Sequence, residues 1–277
     1  MTTAGHARLA VELEQLAVEL VTGAADIVRG LGRRDLLGHR DLSVGTKSTA
    51  TDLVTQVDRA TERWLVEHLA ATRPDDAVLG EEGGARPGSS PVRWLIDPID
   101  GTVNFVLGIP HYAVSVAAEL DGEVVAGAVV DVVSGETFRA RRGAGAWLNE
   151  TALGGPRDVP MERAVIGTGF GYDAAARTRQ ISIVAELLPR IADIRRMGAA
   201  SLDLCSVAAG RLDGYFEAGL NPWDYAAGAL IAEEAGCRVT GLRGRPASAR
   251  LTAAAGVSLA AEFFAVLELL GADSVSS

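Results

Sequence analysis

Thirteen consecutive residues, Arg93-Trp94-Leu95-Ile96-Asp97-Pro98-Ile99-Asp100-Gly101-Thr102-Val103-Asn104-Phe105, constrain this chain more than any other stretch. Trp94, Leu95 and Ile96 form an apolar run suited to a buried strand. Pro98 has no N–H to give a ladder, so the strand is predicted to stop there with Asp97 at its end. Pro98 also fixes φ, and Asp100-Gly101 is a turn signal. The backbone should therefore curl and bring the carboxylates of Asp97 and Asp100 together, with the Ile99 carbonyl pointing the same way. Two carboxylates about 5 Å apart repel by roughly 3 kcal/mol at an effective dielectric near 20. A bound cation removes that repulsion, and hard oxygens with no His or Cys beside them favour Mg²⁺ or Mn²⁺ over zinc. Gly101 and Thr102 are expected to open a short helix whose free amides face the same point, as a phosphate requires. Taken alone, D-P-x-D-G also describes an ordinary surface turn.

The rest of the chain sets limits on what this stretch can serve. A length of 277 residues accommodates two packed subdomains or one unit of several layers. The composition break around residues 147–160, with Gly154, Gly155, Pro156 and Pro160, predicts an N-terminal unit at 1–146 and a C-terminal unit at 147–277. A net charge of −10 argues against sequence-independent nucleic-acid binding, which needs a basic surface. No signal peptide and no membrane-spanning apolar run is apparent, so a soluble cytoplasmic protein is expected. Cys205 and Cys237 lie among apolar residues without metal-type spacing, as buried reduced thiols would.

Periodicity places the elements. Leu9, Leu13, Leu16, Leu20, Ala24 and Ile27 predict an amphipathic helix over about residues 5–30. A second helix follows Thr55, which can act as its N-cap with Asp58 at the third helical position. Val44-Gly45-Thr46-Lys47-Ser48 lacks the glycines of a phosphate-binding P-loop. Ala77-Val78-Leu79-Gly80 reads as a strand entering a glycine-rich turn. Two further strands are joined by the Asp121-Gly122 hairpin signal, and a third lies near 136–141. His111 has no second His at ligand spacing and is read as structural. Strands near 164–168, 191–196 and 251–255 alternate with helices near 174–188, from Met197–Ser201 through Cys205, after Asn221 and near 260–270. Asn221 suits an N-cap and Pro222 the first helical position, which puts Asp224 in the first turn, where a carboxylate is favoured. No nucleophile elbow, HExxH, dinucleotide-binding glycine set or internal repeat occurs.

The stretch from Trp94 to Phe105 resembles the W-[IV]-[IL]-D-P-[IL]-D-G-T-x-N-F signature of the inositol monophosphatase family, Mg²⁺-dependent and lithium-sensitive phosphatases. Further family segments follow in order. Asp52-Leu53-Val54-Thr55-Gln56-Val57-Asp58 is similar to D-L-V-T-x-x-D, which implies that Asp58 holds the hydroxyl of Thr102. Lys47 is similar to a lysine of the family's mobile loop. Gly80-Glu81-Glu82 is similar to G-E-E, whose first glutamate is a metal ligand. Arg195-Arg196-Met197-Gly198-Ala199-Ala200 resembles a helix start whose amides meet ring hydroxyls, although Ala199 stands where many members carry Ser or Thr. Glu217 matches an acid that binds the inositol ring, though a surface strand residue would look the same. Trp223-Asp224-Tyr225-Ala226-Ala227-Gly228 matches W-D-x-A-[AG]-G, whose Asp ligates a second metal.

The resemblance implies an α/β fold of the inositol monophosphatase and fructose-1,6-bisphosphatase type, a layered αβαβα sandwich, and a homodimer. It implies two or three Mg²⁺ ions, with Mn²⁺ as the other candidate, held by Glu81, Asp97, the Ile99 carbonyl, Asp100 and Asp224. Glu81, Thr102 and Asp58 would be catalytic, and Gly101, Thr102, Ala200, Glu217 and Asp224 would bind substrate. The implied activity is hydrolysis of inositol 1-phosphate by metal-activated water, without a phosphoenzyme. Histidinol-phosphate, fructose 1,6-bisphosphate and 3′-phosphoadenosine 5′-phosphate phosphatases are alternatives that share the metal core. A regulatory binding protein that retains the fold is an alternative of another class.

Overall fold

The computed structural model describes residues 3–37, 45–46, 53–54, 56–83 and 85–274. The chain begins with α1 (Thr3–Leu37), longer than its apolar stripe predicts. Val28 continues that stripe, and Arg29 Nε donates to the Val132 carbonyl at 2.8 Å, tying the helix to the chain there. A short ladder of β1 (Gly45–Thr46) and β2 (Leu53–Val54) precedes α2 (Gln56–Thr72). The expectations for Lys47 and for Thr55 as N-cap lie outside the described residues.

A seven-stranded sheet follows in chain order: β3 (Ala77–Gly80), β4 (Val92–Asp100), β5 (Ala113–Leu120), β6 (Glu123–Asp131), β7 (Thr137–Arg141), β8 (Gly145–Leu148) and β9 (Thr151–Ala152). Only β3 and β4 are parallel; the other neighbours are antiparallel. Between β4 and β5 lies the short α3 (Thr102–Leu107). Asp121 and Gly122 both take positive φ, 53° and 85°, as the right-handed twist of a two-residue hairpin requires. The expected unit boundary at 146/147 falls inside β8; the sheet itself runs on to Ala152. Glycine and proline at 154–156 mark the exit from a sheet, which composition registers a few residues early.

The C-terminal half supplies β10 (Val165–Thr168), α4 (Ala174–Leu187), β11 (Asp193–Arg195), α5 (Ala200–Ala208), β12 (Gly214–Glu217), α6 (Pro222–Glu234), β13 (Arg238–Thr240), β14 (Thr252–Ala255) and α7 (Val257–Leu269). Its five strands are ordered β11-β10-β12-β14-β13, with β10 parallel to β11 and β12 and with β14 antiparallel to its neighbours.

Three apolar clusters define the layers. Leu13, Leu20 and Val28 of α1 and Leu65 and Leu69 of α2 pack on one face of the large sheet with Trp94 and Ile96. Leu95 alternates to the other face, where it meets α5, α6 and Tyr215 of the small sheet. Ile183 and Leu187 of α4 and Phe263 and Leu267 of α7 cover the far face of the small sheet. The order is helix, sheet, helix, sheet, helix, an α/β sandwich of two mixed sheets. Strands buried on both faces explain their near-continuous apolar sequences. Cys205 and Cys237 are free and buried, and burial raises both thiol pKa values. Among the described residues no helix is long and apolar enough to cross a membrane.

Candidate active site

The strand does not end at Pro98. β4 pairs Asp97 with Ser115 and then Asp100 with Ala113, so three steps on β4 face two on β5. One extra residue makes a bulge, and a bulge is where a proline without an N–H can sit inside a sheet. Its consequence is geometric. Alternation puts Asp97 on the side of Leu95, facing α5 and α6, while Ile99 packs with the α1 and α2 side. The added residue lets Asp100 return to the side of Asp97, where α5 receives it. The carboxylates thus share a face because of a bulge rather than a strand end.

Each carboxylate is held by a protein donor. Asp97, only 1% exposed, accepts the Ile99 amide at 3.1 Å. Asp100 accepts the Ala200 amide at 3.2 Å, the Ser201 amide at 2.7 Å and the Ser201 hydroxyl at 2.5 Å, all from the first turn of α5. Asp224 accepts the Asn221 amide at 2.6 Å, its half of the capping box that opens α6. Burial first, then the charges of Glu81, Asp100 and Asp224, pushes the Asp97 carboxyl well above the usual range. Asp224 rises for the same reasons, with Asp100 and Glu81 as its charged neighbours. Asp100 is raised by burial to about 6, with the Ser201 donors opposing that rise.

Among the described residues no three such groups stand close enough to clasp an ion as they are. In kind, the donors fit a hard divalent cation: Glu81, Asp97, Asp100 and Asp224 are oxygen donors, and each of the three aspartates lies within reach of another's charge.

One cavity of about 180 Å³ is lined by Glu81, Asp97, Ile99, Asp100, Gly101, Thr102, Ala200, Glu217 and Asp224, every expected site residue except Asp58. Asp58 is buried on α2 behind this cavity and acts on it through its charge, which adds to the rise at Asp97. The Thr102 hydroxyl donates to the Ile99 carbonyl at 2.9 Å, not to Asp58 as expected. That carbonyl is three residues back in the same turn, the acceptor closest to hand. Ala200 lines the cavity as well, and its amide serves Asp100.

Glu217 lines the same cavity. It accepts the hydroxyl of the fully buried Tyr215 at 2.6 Å, two residues earlier on the same face of β12. Burial pushes Glu217 up to about 7, while the Tyr215 hydroxyl and the Arg196 charge pull it down. It is therefore not the surface residue that an isolated strand position suggests. A Cβ on Gly169 would stand within 2.2 Å of its carboxylate, so the glycine after β10 makes the space that Glu217 fills.

Several contributors carry no obvious local signal. Arg196 lines the cavity beside Glu217. Phe170 and Tyr172 form a wall braced by Gln180, which accepts the Gly171 amide at 3.0 Å and donates to the Ala218 carbonyl at 3.2 Å. Asn104 Nδ2 donates to the carbonyls of His111 and Met197, both at 2.8 Å, and so fixes the segment that leads into α5. The signature pattern contains Asn104, and the glycine-rich Gly169-Phe170-Gly171 run was the available hint for the wall.

A family model described as the inositol monophosphatase family matches residues 10–270. An inositol-1-monophosphatase of Mycobacterium bovis is 46% identical, with 95% of this chain and 94% of that protein aligned. A Pasteurella multocida protein named Nus factor SuhB is 41% identical, covering 87% of this chain and 90% of its own length. Among solved structures, Mycobacterium tuberculosis SuhB has a TM-score of 0.80 and 41% identity, covering 95% of this chain and 98% of that one.

Proposed function

Since the chain belongs to the inositol monophosphatase family, we propose that it is a Mg²⁺-dependent phosphomonoesterase that hydrolyses inositol 1-phosphate. The observation that carries this reading is one cavity lined both by mutually repelling carboxylates and by Glu217 with Arg196. Glu81, Asp97, Asp100, Asp224 and the Ile99 carbonyl would hold the metal. When bound, it supplies positive charge that acidifies water and stabilises a leaving oxygen.

The chain's own groups do the rest. Gly101 and Thr102 amides, at the start of α3, receive phosphate oxygens. Glu81 accepts a proton from attacking water, and the Thr102 hydroxyl lies in the same turn to orient it. Glu217 accepts ring hydroxyls, and the Arg196 guanidinium beside it keeps the carboxylate form accessible near neutrality. Two partners of opposite charge read a polyol better than a simple alkyl chain, because an unpaired buried acceptor disfavours the substrate without hydroxyls.

Phosphate release from inositol 1-phosphate, histidinol phosphate, fructose 1,6-bisphosphate and 3′-phosphoadenosine 5′-phosphate, with and without Mg²⁺, tests the proposal. The expected result is Mg²⁺-dependent release that is fastest from inositol 1-phosphate. Faster release from another member of the panel would overturn the substrate assignment. A second reading rests on the relative named Nus factor SuhB: a binding role retained on this fold. No release from any substrate by folded protein in Mg²⁺ would favour it.

A further inference from the structure

We infer that Glu62 is a positioning residue, which grips the turn at residues 80–82 from behind and thereby aims Glu81 into the cavity. The inference rests on the proposed role of Glu81 as a metal ligand.

Asp58 and Glu62 are four residues apart on α2, one turn, and so share a face; both are buried, Glu62 to 4% exposure. Burying a carboxylate is costly unless donors meet it. One Glu62 oxygen, Oε2, accepts the Glu82 amide at 2.7 Å. The same oxygen lies against Gly80, where an added Cβ would stand 2.5 Å from it and 2.8 Å from the carboxyl carbon. Gly80 is itself fixed at the end of β3, in register with Ile96 of β4.

A single carboxylate therefore touches the residues on both sides of Glu81. The Glu81 backbone cannot turn without breaking the bond to Glu82 or moving Gly80 off its strand register. Glu62 does not line the cavity, whereas Glu81 does, so its influence on the site passes through the backbone. This also separates the two adjacent glutamates: Glu81 offers a side chain to the cavity and Glu82 offers an amide to Glu62. Gly80 is glycine because the gripping carboxylate occupies the place of a side chain.

The test compares the parent with Glu62→Ala, Glu62→Gln and Gly80→Ala, measuring the rise in melting temperature on Mg²⁺ titration alongside phosphate release. Outer groups that orient a metal ligand are worth about 10- to 100-fold in metal affinity. Glu62→Ala is expected to need at least about tenfold more Mg²⁺ for half of the thermal shift. Gly80→Ala, which displaces the flexible end of Glu62, should do the same by a different route. Glu62→Gln keeps an oxygen for the Glu82 amide and should respond like the parent. A parent-like Mg²⁺ response from Glu62→Ala or Gly80→Ala would overturn the inference, as would a Gln variant as impaired as the Ala variant. Should Glu62→Ala fail to fold, the Gly80→Ala and Glu62→Gln pair still decides. A parent whose melting temperature ignores Mg²⁺ would instead overturn the metal-site reading beneath it.

Discussion

Asp97 and Glu217 are both carboxylates raised by burial, yet their surroundings assign them different work. Asp97 sits among acids, so in the metal-free protein its charge is a liability. For a carboxylate whose folded pKa is raised, the favourable contribution is complete below the unfolded pKa and is lost as pH rises through the folded one. In EDTA, Asp97→Asn should therefore melt at or above the parent temperature, with the gap widening as pH increases. Mg²⁺ at a hundredfold excess over its Kd should stabilise the parent by about 2.7 kcal/mol and the variant by much less. Melts in EDTA and in Mg²⁺ check this; an equal drop in both conditions would refute a metal role for Asp97.

Burial and the charge of Asp100 push Glu217 up to about 7 against the Tyr215 hydroxyl and the Arg196 cation, which puts its titration near neutrality. As pH falls through 7 its protonated form loses acceptor strength. The KM for inositol 1-phosphate, taken relative to a simple alkyl phosphate at each pH, should rise on the acid side. Glu217→Gln should raise KM for inositol 1-phosphate more than for the alkyl phosphate and flatten that relative pH profile. Equal effects on both substrates would remove Glu217 from specificity.

At the scale of elements, α5 matters through its first turn. Its amides and the Ser201 hydroxyl converge on Asp100, a carboxylate a hundred residues earlier in the chain. Donors to the charged form lower a pKa, so Ser201→Ala should raise that of Asp100 above about 6. A proton then competes more strongly with Mg²⁺. The Mg²⁺ concentration for half-maximal thermal shift should increase more at pH 6.5 than at pH 8.5, and a uniform change across pH would mean that the hydroxyl serves packing alone.

Across the whole molecule, the site lies at the seam between the large sheet and the C-terminal half. β4 brings Asp97 and Asp100, β3 leads into Glu81, α6 brings Asp224 and β12 brings Glu217. Asn104 is one stitch in this seam, joining α3 to the Met197 carbonyl ahead of α5. Asn104→Ala leaves the carbonyls of His111 and Met197 without this donor, and a buried polar group stripped of its partner costs about 1–3 kcal/mol. Urea unfolding should show a loss of about 1–3 kcal/mol. A loss below about 0.5 kcal/mol, the range of surface substitutions, would show that the seam does not depend on it.

Much of this protein was determined by short-range pattern. The Asp121-Gly122 hairpin and the cap of α6 by Asn221 and Asp224 follow from neighbours in sequence, because turn chemistry and periodicity act over a few residues, whereas the acids of the cavity and the layer order were implied by the family resemblance. The continuation of β4 past Pro98 did not, since a strand's end is set by whether its partner β5 can absorb a bulge. Nor did the donors that hold Asp100, the bridge made by Asn104, or the grip of Glu62 on the Glu82 amide, 20 residues away. Those contacts exist only once α5 and α2 have packed against the sheet, and their residues are locally indistinguishable from other serines, asparagines and glutamates. The family resemblance points to the carboxylates that line the cavity; the packing of distant elements decides what holds each one in place, because a buried charge takes its donors from whichever backbone the fold brings within about 3 Å.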